Sequence, residues 1–183
     1  MLRKVQINSS TANDEGLRKL YETSFHRGEI IPYEEFIKAL DKMNIDYTAY
    51  YDGDMLVGMT ATVNLPKYNY GAYFAVREEL RGKGYGKKIF RDLLDKYSTG
   101  NIFLGEIESP LQADAPNLEI RKKRLAFYLQ LGMKETGISY TDSTGTYTVI
   151  SYGKGTITKE EFDEINVILK PYLDMTELNN KAV

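Results

Sequence analysis

Between Val76 and Lys87 the chain reads Val-Arg-Glu-Glu-Leu-Arg-Gly-Lys-Gly-Tyr-Gly-Lys, with glycines at the alternate positions Gly82, Gly84 and Gly86. Without Cβ atoms in the way, several consecutive N–H groups can turn toward one anion. Arg81, Lys83, Lys87 and Lys88 add positive charge, and a helix opening at Tyr85 adds the positive end of its dipole. A phosphate-bearing ligand suits this chemistry. Two common phosphate loops do not fit. A P-loop needs glycine five positions before its Gly-Lys and Ser or Thr after it, where this chain has Arg81 and Lys88. The dinucleotide fingerprint needs glycine three positions after Gly84, and that position is Lys87. Taken alone, the same glycines also fit a solvated connector.

Other candidate groups are few. Cysteine is absent and His26 is the single histidine, which excludes thiol nucleophiles, disulfides, zinc–thiolate sites and multi-histidine metal centres. No metal site is expected. His26, in a loop, reads as a surface side chain. Glu106 and Glu108 fall on one face of a strand, because side chains alternate; they are either chemically useful carboxylates or sheet-edge charges. Tyr128 shares a helical face with Leu125 and Leu129, the usual pattern of a core aromatic. The run Arg121-Lys122-Lys123-Arg124 covers every helical direction and reads as a solvated face.

The elements that hold these groups follow from periodicity and turn chemistry. A strand over Met1–Asn8 precedes a helix capped by Asn13 or Asp14 that carries Leu17, Leu20, Tyr21 and Phe25. A second helix follows Pro32, with Phe36, Ile37, Leu40 and Met43 on one face. Strands at 46–51 and 55–65 flank the hairpin turn Asp52-Gly53-Asp54, and a third, aromatic-rich strand covers 70–76. A helix over 85–97 carries Ile89, Phe90, Leu93, Leu94 and Tyr97. Then come a strand at 101–108, a loop bracketed by Pro110 and Pro116, a helix ending near Leu131-Gly132, and a hairpin of 133–140 with 147–152. A short helix over 159–170 precedes Pro171 and a polar tail. The order reads as an α/β or α+β mixed sheet in one domain.

The chain has 183 residues, 42% hydrophobic and 27% charged, enough for one domain with a real core. Its 24 basic and 26 acidic residues give a net charge of −2, so no global field attracts nucleic acid or an anionic membrane. The longest apolar stretch, 55–63, is about half a membrane span, and the N-terminus lacks the apolar core of a signal peptide. A cytoplasmic location is the expectation.

Val76–Lys87 resembles motif A of the GCN5-related N-acetyltransferases (GNAT): Arg81, Gly84 and Gly86 occupy its Arg, Gly and Gly positions, with an additional Gly82. Arg124–Met133 is similar to motif B, an aromatic-Tyr pair (Phe127-Tyr128) shortly before a Gly-aromatic pair, whose second member is Met133 here. Arg121 stands where the family often has asparagine. The element order matches the family's to about Tyr152.

The resemblance implies a mixed, mostly antiparallel sheet flanked by helices, with an acetyl-CoA-dependent N-acetyltransferase domain over 1–155 and a C-terminal helical extension over 156–183. It implies that loop amides of Arg81, Gly82, Lys83, Gly84, Tyr85, Gly86 and Lys87 hold the pyrophosphate of acetyl-CoA. Backbone groups of Phe74, Ala75 and Val76, on a strand that bulges in the family, would pair with the pantetheine arm and polarise the thioester. Tyr128 becomes a general acid for the leaving thiolate. Glu106 or Glu108 becomes the base that frees a primary amine, Glu106 being deeper in its strand. The acceptor would be a small-molecule or peptide amine attacking directly in a ternary complex, since no cysteine can carry the acetyl group. The alternatives are a non-catalytic acyl-CoA-binding or regulatory module on the same fold and an unrelated nucleotide-binding enzyme. The final strands and the 159–183 segment are candidates for a homodimer surface or for a cap on the core.

Overall fold

The computed structural model of the chain describes residues 1–25, 30–97, 99–142 and 144–173. His26 therefore lies outside the described residues, as does the tail beyond 173.

Strands β1 (Arg3–Ile7), β2 (Ile45–Asp52), β3 (Met55–Asn64) and β4 (Tyr68–Val76) form an antiparallel series, and β5 (Ile102–Glu108), β7 (Thr146–Tyr152) and β6 (Lys134–Thr141) form a second. One seven-stranded sheet results, in the order β1-β2-β3-β4-β5-β7-β6. β4 and β5 are its parallel pair, so their connection must cross over through a helix.

Helices α1 (Glu15–Ser24), α2 (Tyr33–Leu40) and α5 (Lys159–Leu173) cover one face. Their apolar stripes meet Tyr47, Met59, Ala61 and Tyr73, and, beneath α5, Val63, Leu104 and Val149. The crossover helix α3 (Tyr85–Lys96) and α4 (Leu118–Gln130) cover the other face, burying Phe90, Leu93, Phe103, Ile107 and Ile150. Alternation along each strand sends successive side chains to these two layers.

Element order and hairpins follow the sequence expectation, with three local differences. Glu78–Leu80 form a single 3-10 turn between β4 and α3. Pro171 lies inside α5 rather than after it; in the last turn its missing N–H removes a single helical hydrogen bond. Arg121 is not part of a solvated face: only 8% exposed, it reaches Ser109 O, Gln112, Asn117 and Glu108. The run 121–124 thus divides, with Lys122 and Lys123 outside and Arg121 inside. A long guanidinium stem can bury itself where several acceptors converge.

Candidate active site

The two halves of the sheet part company between β4 and β5. Their pairing runs from Tyr68↔Ile102 to Gly71↔Gly105 and stops there, while β4 stays paired with β3 to Val76 and β5 with β7 to Glu108. The register of β3 and β4 shifts between Gly71 and Tyr73, leaving Ala72 as an extra residue. Such a bulge increases local twist and swings a strand away from its neighbour. Gly71 marks the fork: a Cβ there would lie 2.7 Å from Phe103 Cζ and 3.3 Å from Leu104 O, so only glycine allows the strands to close before they separate.

Beyond the fork, β4 presents an edge that β5 does not cover. Arg77 N–H donates to Val57 O, and the Ala75 carbonyl lies against Gly58 on β3. Because backbone groups alternate between neighbours, the polar groups of Phe74 and Val76 face the open edge while those of Ala75 face β3. Of the three backbone positions implied by the resemblance, Phe74 and Val76 therefore face the open edge, whereas Ala75 does not. Val76 O accepts a long 3.4 Å contact from Arg81 Nε.

The glycine loop lies at the end of this edge. Gly82 and Gly84 have φ of +75° and +84°, a left-handed conformation that other residues adopt only with strain. Lys83 N–H bonds Leu80 O, and Lys88 N–H is the first to reach back to Gly84 O. Among the described residues, no protein acceptor meets the N–H groups of Gly82, Gly84, Tyr85, Gly86 or Lys87. Arg81, Lys83, Lys87 and Lys88 likewise have no carboxylate partner among the described residues. Unpaired amides, a helix start and unneutralised cations coincide here, as binding of a multiply charged anion requires.

Loop, open edge and fork border one cleft of about 1390 Å³ that passes through the sheet. Its α3/α4 side is apolar, lined by Phe74, Phe90, Phe127 and Tyr128. The half-buried Tyr128 ring packs 4.9 Å from Phe90 and 5.2 Å from Phe127. Its hydroxyl has no hydrogen-bond partner among the described residues. Burial pushes this phenol up to about 12, with Arg124 pulling slightly the other way. It is protonated at any physiological pH, and its proton is held more tightly than an ordinary phenol's.

Glu106 is the first residue of β5 past the last pair with β4. Its carboxylate lies on the opposite side of the cleft, toward α5. Tyr70 Oη donates to Oε1 at 2.7 Å, and Tyr140 Oη donates to Oε2. Burial raises the carboxyl's pKa, and the two phenols only partly offset that rise. Glu108, two residues on, has a different environment. Asn117 and Arg124 bond to it, Arg121 pairs with it at 3.0 Å, and its side chain is 12% exposed. Burial acts against its charge, but these partners prevail and hold its carboxyl below the usual range. Glu108 ties α4 to β5; Glu106 faces the fork. Sequence alternation places the two on one face but could not distinguish their partners, which come from α4, β4 and β6.

Among the described residues, no group of three or more His, Asp or Glu side chains is arranged to hold a metal ion. None of their helices is long and apolar enough to cross a membrane.

Comparison with known proteins gives a consistent picture. The Acetyltransferase (GNAT) family profile matches residues 14–118. No curated protein sequence matches the chain. Among solved structures, a Bacteroides thetaiotaomicron protein assigned to that family is 20% identical, with a TM-score of 0.74 over 92% of this chain and 96% of its own. The ribosomal-protein-S18-alanine N-acetyltransferase of Escherichia coli is 12% identical, with a TM-score of 0.62 over 87% and 97%. A variant of the Vibrio cholerae spermidine N-acetyltransferase is 14% identical, with a TM-score of 0.61 over 82% and 92%. At these identities the likeness is one of fold.

Proposed function

Because the chain belongs to the GNAT acetyltransferase family, we propose that it transfers the acetyl group of acetyl-CoA to a primary amine of a small molecule or peptide. The amine attacks directly within a ternary complex. The observation that carries this reading is the junction of two features: a loop of unpaired amides suited to a diphosphate, and a strand fork wide enough for the arm that follows it. Solved structures of similar fold include an acetyltransferase with CoA bound and an aminoglycoside 6′-N-acetyltransferase complexed with coenzyme A.

The residues divide the reaction by side of the sheet. The amides of Gly82, Gly84, Tyr85, Gly86 and Lys87, with Arg81 and Lys83 nearby, hold the diphosphate. The open groups of Phe74 and Val76 bind the pantetheine arm and favour negative charge on the thioester oxygen. Glu106 takes a proton from the acceptor ammonium, whose ordinary pKa of about 10.4 would otherwise leave it unreactive. The amine nitrogen then bonds to the carbonyl carbon and the C–S bond breaks. The nitrogen gives its second proton to water in the cleft, while Glu106 returns the first to solvent. The departing thiolate takes the proton of Tyr128, and Tyr128 is reprotonated from solvent. One ammonium and acetyl-CoA become one amide, coenzyme A and a released proton. Glu108 remains an ion-pair partner of Arg121 and Arg124 throughout.

Thiol release from acetyl-CoA tests this reading, measured across polyamines, amino acids, aminoglycosides and peptides. Amine-dependent release that disappears in Glu106→Gln is expected. Binding of acetyl-CoA without release for any amine would instead identify a non-catalytic binding module.

A further inference from the structure

We propose that Tyr70 and Tyr140 are positioning residues for Glu106, paired phenol donors that keep its carboxylate aimed at the fork and ready to accept a proton. This rests on the assignment of Glu106 as the base. Its physical content is independent of which amine is acetylated.

The geometry is specific. Tyr70 comes from β4, on one side of the fork, and Tyr140 from β6, in the other half of the sheet. Each gives its hydroxyl to a different oxygen of the same carboxylate. Glu106 thus links the two halves of the sheet where the backbone ladder between them ends. Each carboxylate oxygen can accept about two hydrogen bonds. One direction per oxygen is taken by a phenol, which leaves the others for an ammonium or a water in the cleft. The Tyr140 ring is itself fixed, 5.5 Å from the ring of Tyr147 and 5.8 Å from Phe162 of α5. Phe162 is fully buried, so the C-terminal helix backs this arm of the clamp.

The clamp has a direct electrostatic consequence. Phenol donors bond the charged form of a carboxylate more strongly than the neutral one and so oppose the effect of burial. Other titratable or charged groups surround the same cleft: Tyr73 on β4, Asp142 after β6, Tyr147 on β7, Lys170 on α5, and Glu108 with Arg124. Asp142 acts in the reverse sense to the phenols and raises Glu106. Loss of either phenol should therefore move Glu106 upward in pH, leaving less of it able to take a proton near neutrality.

The test uses the full chain labelled with 13C at glutamate side-chain carboxyls, with Glu106→Gln identifying the Glu106 resonance. Tyr70→Phe and Tyr140→Phe remove only hydroxyls and keep ring volume, and melting curves verify folding. Each variant should titrate about one unit above wild type, and the double variant higher still. Thiol release with spermidine, glycinamide or kanamycin as acceptor should fall at pH 7 in each variant and recover as pH rises. Unchanged or lowered titration of Glu106 in folded variants would overturn the clamp. Should Glu106→Gln retain full turnover while the phenol variants still shift the titration, the base assignment fails and the clamp survives.

Discussion

Replacing Tyr128 by phenylalanine separates chemistry from stability unusually cleanly in this site. The hydroxyl has no protein partner among the described residues, and the ring contacts to Phe90 at 4.9 Å and Phe127 at 5.2 Å do not involve it. Its removal should change stability by no more than about 0.5 kcal/mol, as for a substitution that leaves packing and hydrogen bonds intact. Turnover should fall at least ten-fold, equivalent to about 1.4 kcal/mol of transition-state stabilisation. The timing of the proton transfer follows from the site. A phenol held up at about 12 faces a thiolate whose conjugate acid ordinarily has a pKa of about 8.5, so proton transfer to an already separated thiolate would be uphill by roughly 5 kcal/mol. Transfer must accompany cleavage, with the thiolate's own proton affinity raised by the same apolar wall. Steady-state thiol release would give kcat and kcat/KM falling together, while calorimetry would give an unchanged affinity for acetyl-CoA. Because the phenol ionises only near 12, its titration should cause no loss of rate below about pH 11 in wild type. Equal turnover in the folded variant would remove Tyr128 from the mechanism. A melting temperature lowered by many degrees would make it a core residue instead.

Gly84→Ala forces a side chain onto a φ of +84°, costing about 1–2 kcal/mol. Calorimetry should show CoA affinity weakened roughly five- to thirty-fold, and an unchanged affinity would separate the loop from the ligand. Glu108→Gln leaves Arg121 buried without its anion and should cost about 3–5 kcal/mol in denaturant unfolding. The pH sense follows from the lowered carboxyl. Glu108 stabilises the fold above the unfolded value of about 4.3 and loses that contribution as pH falls through its lower folded value. Wild type should therefore lose more stability than Glu108→Gln between pH 7 and the acid limb. Asp46, outside the cleft, accepts from Lys96 at 2.7 Å and Tyr97 at 2.5 Å, fastening the end of α3 to β2. Asp46→Asn should cost about 1–3 kcal/mol in denaturant unfolding while leaving thiol release unaffected.

Local signals carried much of the fold. Gly53, Gly132 and the apolar stripes of α1 and α3 punctuate the chain by short-range rules, and the elements fall where those rules place them. The place of the glycine loop between β4 and α3 was equally legible, because consecutive residues mark it. The fork was not. It depends on an extra residue at Ala72, which becomes visible only when β4 is set against β3. The partners of Glu106 were hidden for the same reason. Tyr70 and Tyr140 lie 36 and 34 positions away in sequence, and in a chain with 15 tyrosines strand propensity accounts for such residues without any site. Only strand register singles them out. Arg121 shows the converse, since four adjacent cations suggest solvent whereas the fold offers one of them several acceptors.

A paired calorimetric titration with CoA and with pantetheine, which lacks the diphosphate, bears most directly on how the cleft holds its co-substrate. Binding of CoA at one site per chain is expected, with pantetheine at least a hundred-fold weaker. Equal affinities, or no heat from CoA with the protein folded, would contradict it.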